Sequence, residues 1–155
     1  MGRKPFIVET KPFVFPGSEI EVQVRKVPQQ VIQDANASLK PPVPPMQEVE
    51  LDGKTRMEPN YTHPDYLQAL EDHQMAQMRL SQRILIRMGI VHELTDEDRA
   101  ATKAVLDTMR ELNIEPTAGS ELEQWVYYVA APTMNDLTAL MQEVLGLSVP
   151  TPKSD

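Results

Sequence analysis

The longest helical pattern in the chain spans residues 64–89 and has the sequence PDYLQALEDHQMAQMRLSQRILIRMG. Proline suits the first helical turn, and Asp65 lies where the positive end of the helix dipole favours an acid. Glycine is common just after the end of a helix, so we expect the helix to run to Met88 and to end at Gly89, its C′ residue. The stretch therefore predicts a long α-helix.

Two stripes of side chains follow this helix. Five apolar residues lie roughly on one face: Leu67, Leu70, Met78, Leu85 and Met88. Arg79, Arg83 and Arg87 recur every four residues and form a basic stripe. Because residues 93–155 carry four basic and twelve acidic side chains, we expect the basic stripe to pair with this acidic part of the same chain.

Three more helices are predicted by the Ser/Thr-x-x-acid spacing of helix starts. The pairs are Thr95 with Asp98, Ser120 with Glu123, and Thr133 with Asp136. We expect the first of these helices to end near residue 113, the second to begin with a full capping box, and the third to end near residue 146. The second half of the chain is thus predicted to be a bundle of about four helices.

The N-terminal part has strand patterns instead. Phe6-Ile7-Val8 and Phe13-Val14-Phe15 are apolar runs, residues 20–24 alternate apolar and polar side chains, and Pro16-Gly17 is a turn signal between them. These features predict a small antiparallel unit over residues 6–27, followed by a short helix over residues 29–39.

A second hairpin is predicted around Asp52-Gly53, because this dipeptide accepts a positive φ at both turn positions. Pro41-Pro42-Val43-Pro44-Pro45 precedes it and favours a stiff polyproline II segment. The segment also contains Pro-x-x-Pro, a pattern that binds aromatic grooves. Either a rigid spacer or a ligand segment is compatible with it.

The predicted fold class is α+β, with small N-terminal antiparallel hairpins followed by the helical bundle. Ten of the fourteen prolines lie at or before Pro64, which places the change from strands to helices there. We divide the chain of 155 residues into a β arm (1–28), a proline-rich connector with the second hairpin (29–63), a helical domain (64–148) and a mobile tail (149–155).

Composition excludes several classes of function. The net charge of −8 argues against nucleic-acid binding, which requires a basic surface. No apolar run approaches the ~20 residues of a membrane span. The absence of cysteine excludes disulfides and thiolate metal sites. We therefore expect neither a nucleic acid nor a membrane among the partners. The setting is either a reducing cytosol or one in which the protein needs no disulfide for stability.

Catalytic and metal-binding patterns are also missing from the sequence. His63, His73 and His92 do not have the His-x-x-x-His spacing of a zinc site. The acids of residues 96–98 and of Glu121 and Glu123 lie in first helical turns, where the helix dipole alone favours them. No glycine-rich phosphate loop or nucleophile elbow is present. We expect no enzyme activity, no metal and no cofactor.

Methionine and aromatic side chains are the candidates for contact with a protein partner. The chain has nine methionines, whose flexible thioethers adapt to different partners but also fill ordinary cores. Three aromatic residues lie close together on one predicted helix, which cannot bury them all on one face. The candidate contact residues are Met75, Met78, Tyr127, Tyr128, Phe13 and Phe15.

The middle of the chain resembles small tail assembly chaperone-like proteins of long-tailed, siphovirus-type bacteriophages. The resemblance is carried by Pro41-Pro42-Val43-Pro44-Pro45, Val49-Glu50-Leu51-Asp52-Gly53, Glu58-Pro59-Asn60 and His63-Pro64-Asp65-Tyr66-Leu67-Gln68-Ala69-Leu70. In that family a hairpin-like "v-d-G-k" is followed by "e-P-N-x-x-x-P-x-Y-x-x-A-L" and a long helix. The resemblance covers about residues 40–145 and leaves out the basic N-terminal arm.

The resemblance implies a non-enzymatic protein that binds a tape-measure-type client, recruits tail-tube subunits in the host cytoplasm, and is missing from the finished particle. A structural virion component is the alternative, in which the arm of residues 2–27 adds a strand to a neighbouring subunit. A cellular adaptor that uses the Pro-x-x-Pro segment is a third reading, and a homo-oligomer is compatible with each of them.

Overall fold

The structure, a computed structural model, describes residues 9–146. The strand predicted at Phe6-Ile7-Val8 and the tail predicted at residues 149–155 lie outside this range. The chain divides into two compact units, which are described separately below. We call residues 1–31 with 82–155 the core unit, and residues 32–81 the hairpin unit. Helices α1 and α2 contribute residues to both units.

The α+β class is confirmed by the elements of the described residues. In chain order they are β1 (Lys11–Val14), β2 (Glu21–Val24), α1 (Gln29–Ala37), β3 (Met46–Leu51), β4 (Lys54–Pro59), α2 (Pro64–Gly89), β5 (Ile90–Val91), α3 (Asp96–Glu111), α4 (Glu121–Trp125), a π-helical turn (Val126–Ala130) and α5 (Met134–Leu145). The predicted long helix and both predicted hairpins are present, whereas β5 and the π-helical turn had no signal that we recognised.

The sheet of the core unit has the strand order β1-β2-β5, and both pairings are antiparallel. Val22 and Val24 on β2 are buried and alternate with exposed Glu21 and Gln23. This is the pattern of a strand with one face against a core. Val24 also pairs in register with Ile90, so β2 joins the chain that follows α2.

Side chains from the sheet and the helices share one core in this unit. The buried apolar residues are Phe15, Val22, Val24, Val27, Leu85, Ile86, Ile90, Trp125, Val126, Ala130, Ala131, Leu137, Leu140 and Val144. Every one of them belongs to the core unit.

All three predicted helix starts are confirmed, and two of them are full capping boxes. Thr95 accepts from the backbone N–H of Asp98 and donates its own backbone N–H to the Asp98 carboxylate, and Thr133 and Asp136 repeat this arrangement. At the third start, Ser120 caps α4 as predicted, but the full capping box predicted with Glu123 is wrong. Ser120 accepts from the Glu123 N–H, but the Glu123 carboxylate is held by arginines of α2 instead of returning to the cap.

Gly89 is required for a different reason from the one predicted. We expected Gly89 to follow the helix as its C′ residue, but Gly89 is the last residue of α2, and the described glycines with positive φ are Gly53 and Gly146. A Cβ on Gly89 would lie 2.7 Å from Cγ1 of Val144. The glycine therefore allows α2 and α5 to approach closely, whereas Gly146, with φ 70°, ends α5 in the conformation expected of a C-terminal cap.

The turn between β1 and β2 is held by a buried carboxylate of α5. Asp136 accepts a 2.6 Å hydrogen bond from the Gly17 N–H and a 2.8 Å bond from the Thr133 hydroxyl. A Cβ on Gly17 would lie 2.5 Å from the Asp136 carboxylate oxygen Oδ2. Ser18 donates to the carbonyl of Ala130 at 2.6 Å. These bonds make the N-terminal hairpin part of the core unit.

The hairpin unit consists of the end of α1, the proline-rich segment, the β3–β4 hairpin and α2 up to Ser81. Asp52 and Gly53 have φ values of 52° and 74°, as the predicted tight turn requires. The hairpin pairs from Met46 opposite Pro59 to Leu51 opposite Lys54. No hydrophobic side chain of residues 32–81 is fully buried.

Candidate protein-binding surface

The sequence-predicted contact residues are divided between the two units. Met75 and Met78 lie on α2 in the hairpin unit and are 42% and 37% exposed. Tyr127 and Tyr128 lie on the π-helical turn of the core unit and are half-buried. The Tyr128 hydroxyl accepts a 2.7 Å hydrogen bond from the Thr117 N–H, which holds this ring in place.

The two phenylalanines of the N-terminal hairpin are not equivalent. Phe15 is completely buried and therefore offers no surface to a partner. Phe13 is half-buried and meets the Phe15 ring edge to face, with ring centres 5.1 Å apart. Of the six candidates, Met75 and Met78 are thus the most accessible.

Exposed apolar side chains recur along the whole hairpin unit. They are Val43, Met46, Leu51, Met57, Tyr61, Leu67, Met75 and Met78. Single exposed apolar residues are ordinary, but eight in fifty residues that contain no fully buried apolar side chain make this segment the candidate contact region. We call these eight residues the exposed apolar set.

The β3–β4 hairpin contributes two methionines that sequence reasoning missed. Met46 and Met57 lie on the same face, because Met57 pairs with Glu48, two residues from Met46, and side chains alternate along a strand. Both methionines are 55% exposed. The opposite face carries Val49 and Glu58, which are half-buried. The turn at Asp52-Gly53 fixes the register of the predicted hairpin, and this register would have placed both methionines on one face.

The hairpin also has two free backbone edges. The sheet of β3 and β4 contains these two strands alone among residues 9–146. A two-stranded hairpin is marginally stable in water without further packing or a third strand. The hairpin unit thus combines unpaired edges with exposed methionines, and both are features of a surface that another chain covers.

The predicted pairing of the basic stripe with the acidic part of the chain is confirmed for two of its three arginines. Nε of Arg83 lies 3.0 Å from Glu123 Oε2, and Nε of Arg87 lies 3.6 Å from Oε1. The Glu123 side chain is fully buried, and a Cβ on Gly119 would lie 2.5 Å from its Oε2. Both arginines compensate a buried charge, so their role is structural.

Among the described residues, His92 is the histidine whose ring packs on another aromatic ring. Its ring stacks on Trp125 with centres 4.5 Å apart, and its Nε2 lies 2.9 Å from Asp98 Oδ2. Burial raises the pKa of Asp98, but hydrogen bonds from Thr95 and His92 lower it by more, so the pKa lies below its usual value. The same carboxylate caps α3, and the cluster is explained by packing and capping.

A groove of about 310 Å³ runs along α3 and α4 in the core unit, with Leu94, Leu106 and Gln124 among its lining residues. Its cations are matched by acids of the same groove: Arg99 with Glu121, and Lys103 and Arg110 with Asp107. The balanced charges select neither an anionic nor a cationic ligand.

Residues 9–146 contain neither a cluster of metal-binding side chains nor a membrane-spanning helix. No group of three or more His, Asp or Glu side chains is placed to hold a metal ion in this range. The helices of the same range do not combine the length and hydrophobicity needed to cross a membrane.

The exposed apolar set on the hairpin unit is the candidate for a protein-binding surface among the described residues. Comparisons of the chain with models of protein families, with curated proteins and with solved structures find no match.

Proposed function

We propose that this chain is a non-enzymatic bacteriophage tail assembly chaperone, which binds a tape-measure-type client and tail-tube subunits through its hairpin unit. The observation that carries the proposal is the contrast within the chain. All fully buried apolar residues lie in the core unit, while residues 32–81 have none and carry eight of the fourteen exposed large apolar side chains of the described residues. The motifs that resemble the chaperone family fall in and next to this same segment.

The chemistry of the surface suits a long helical client. Met46, Met57, Met75 and Met78 present thioethers, which adapt to different apolar side chains along a repetitive partner. The net charge of −8 would keep a complex with a hydrophobic client soluble.

The position of the N-terminal hairpin also favours a chaperone over a lacing arm. Phe15, Val22 and Val24 are buried in the core unit, and Gly17 is bonded to Asp136. Residues 11–27 thus already have partners within their own chain, whereas an arm that becomes ordered only on a neighbour would lack them.

The experiment is a tagged pull-down from the producing cells, with mass spectrometry of the eluate and of purified particles. We expect a long, helical tape-measure-type protein in the eluate and no copy of this chain in the particles. The double variant Met75→Asp with Met78→Asp should reduce recovery of that client about tenfold or more, because it charges the contact surface. Met134→Asp, at a methionine of the core unit that is 63% exposed, is the control.

A structural virion component is the second candidate, and one observation favours it. Strand β1 lies at an edge of its sheet, and Val14 on it is exposed. An edge strand can accept a strand from another subunit. The same experiment decides between the two: presence of the chain in particles at a fixed stoichiometry would refute the chaperone proposal and support a building block.

A further inference from the structure

Three exposed charges on α2 have no ion-pair partner among the described residues: Glu71, Asp72 and Arg79. Asp72 accepts a hydrogen bond from Gln68. Glu71 and Arg79 have no such contact, and they flank Met75 at a distance of four residues on either side. Residues four apart lie above one another on a helix, so Glu71, Met75 and Arg79 belong to a single row. Leu67 extends this row by one turn, and Met78 lies beside it.

The row is self-complementary when a second copy is turned end for end. The two-fold axis passes between the Met75 side chains of the two antiparallel copies. It places each Glu71 opposite Arg79 of the partner subunit, and each Met75 opposite Met75 of the partner subunit. One rotation therefore forms two identical ion pairs around an apolar centre. Closed two-fold interfaces of this kind are the commonest in homo-oligomers.

We propose that the exposed face of α2 around Met75 binds the same face of a second copy of this chain, with the two helices antiparallel. The arrangement covers Leu67, Met75 and Met78, which are 50%, 42% and 37% exposed. Met75 and Met78 also belong to the surface of the proposed function, so a client and a second copy would occupy this face in turn. The neighbouring arginines Arg83 and Arg87 are already paired with Glu123, so the unpaired Arg79 is the cation left for a partner.

The size of this contact sets its strength. A single pair of helices that meets over three or four turns buries less than the ~1,200 Å² at the lower end of standard interfaces. Interfaces smaller than this are typical of weak and transient association. The dimer should therefore form and dissociate with protein concentration, and it should weaken as salt screens the exposed ion pairs.

Charge reversal tests the proposal in sedimentation equilibrium of the purified full-length chain over a range of concentrations. Glu71→Arg or Arg79→Glu alone should each raise the dimer dissociation constant about tenfold, because each turns two attractive pairs into two repulsive ones. The double variant Glu71→Arg with Arg79→Glu exchanges the two charges and should restore dimerisation. Glu111→Arg makes the same change of charge on α3 and should have no effect.

Crosslinking tests the position of the axis. Because the chain has no cysteine, Met75→Cys introduces a single thiol that faces itself across the axis, at the short separation a disulfide needs. Mild oxidation should convert this variant to a covalent dimer much faster than Met134→Cys, whose side chain is exposed in the core unit.

Three results would overturn the proposal: a wild-type chain that stays monomeric at the highest concentration, single reversals without effect, or a double variant that is not restored. These measurements use the purified chain without any client. A negative result therefore removes the dimer and leaves the chaperone proposal intact, while a pull-down without a tape-measure-type client does the reverse.

Discussion

Leu67 and Leu85 are the same residue type on the same face of α2, five helical turns apart, yet Leu67 is 50% exposed and Leu85 is 1% exposed. The difference between these leucines is the difference between the two units. In the core unit, apolar side chains from a sheet and several helices bury one another. In the hairpin unit the same kinds of side chain remain in contact with water. An apolar stripe on a helix thus identifies a contact face without telling whether the contact lies within the chain.

Truncation of these two leucines should give the largest contrast. Leu85→Ala is expected to lower the free energy of unfolding by about 2–5 kcal/mol, since it removes transfer energy and leaves a cavity. Leu67→Ala should change it by less than about 1 kcal/mol. Urea unfolding of both variants measures the two values directly. Equal losses would mean that Leu67 is packed as tightly as Leu85, and the contrast between the units would fail.

Glycine substitutions should separate crowding from backbone strain. Gly89→Ala brings a Cβ to 2.7 Å from Val144, and we expect a loss of about 1–3 kcal/mol from overpacking. Gly53→Ala has no atom within 4 Å of its Cβ but a φ of 74°, so its loss should be about 1 kcal/mol from strain alone.

A second substitution distinguishes the two causes. Val144→Ala should recover part of the stability lost in Gly89→Ala and none of that lost in Gly53→Ala, as measured by a double-mutant cycle. Additive effects of Gly89→Ala and Val144→Ala would show that crowding is not the reason for glycine at position 89.

The pH dependence of stability should come from the core unit, through Asp98 and the more deeply buried Asp136. Burial raises the pKa of the Asp136 carboxyl, but hydrogen bonds from Gly17 and Thr133 lower it by more, so its folded pKa lies below its usual value of 3.8. A lowered folded pKa stabilises the protein above the unfolded pKa, and this stabilisation is lost as the pH falls through the folded pKa. The contribution of Asp136 should thus be complete at neutral pH and decline below about pH 4.

Asp136→Asn is expected to cost about 1–3 kcal/mol at pH 7, because the amide group faces buried N–H donors, and the difference from wild type should shrink below about pH 4. Asp65→Asn, an exposed first-turn acid of α2, should cost less than about 1 kcal/mol. Urea unfolding across this pH range gives both values. A difference at Asp136 that does not change with pH would exclude its carboxylate as the titrating group.

The parts of the fold that could be predicted from the sequence depend on short-range signals. Asp52-Gly53 specifies its hairpin through local backbone preferences, and Thr95 and Thr133 specify their helix starts through residues three positions away. The errors arise where a distant residue competes. Glu123 has the spacing of a capping box, but its carboxylate is bonded to Arg83, forty residues away. The residues next to Glu123 in the sequence do not predict that its carboxylate pairs with Arg83 instead of with the helix start.

The candidate surface was predictable only in part for a related reason. Exposed methionines and buried methionines have the same helical spacing, so Met75 and Met78 could be nominated but not separated from core residues. Phe15 shows the opposite error, since a large aromatic side chain next to a turn was taken as a contact residue and is fully buried. The prediction of the hairpin used only its turn at Asp52-Gly53, and the turn alone does not tell which side chains, such as Met46 and Met57, share a face.

The absence of fully buried apolar side chains in residues 32–81 has a consequence for how this protein can change over generations. Replacements in the core unit are filtered by folding, because each buried side chain has several neighbours to satisfy. Replacements of exposed side chains in the hairpin unit should change the free energy of unfolding little, so selection on them would act mainly through contacts at the surface. If the proposed function holds, substitutions in this segment would follow changes of the client while the core unit stays constant.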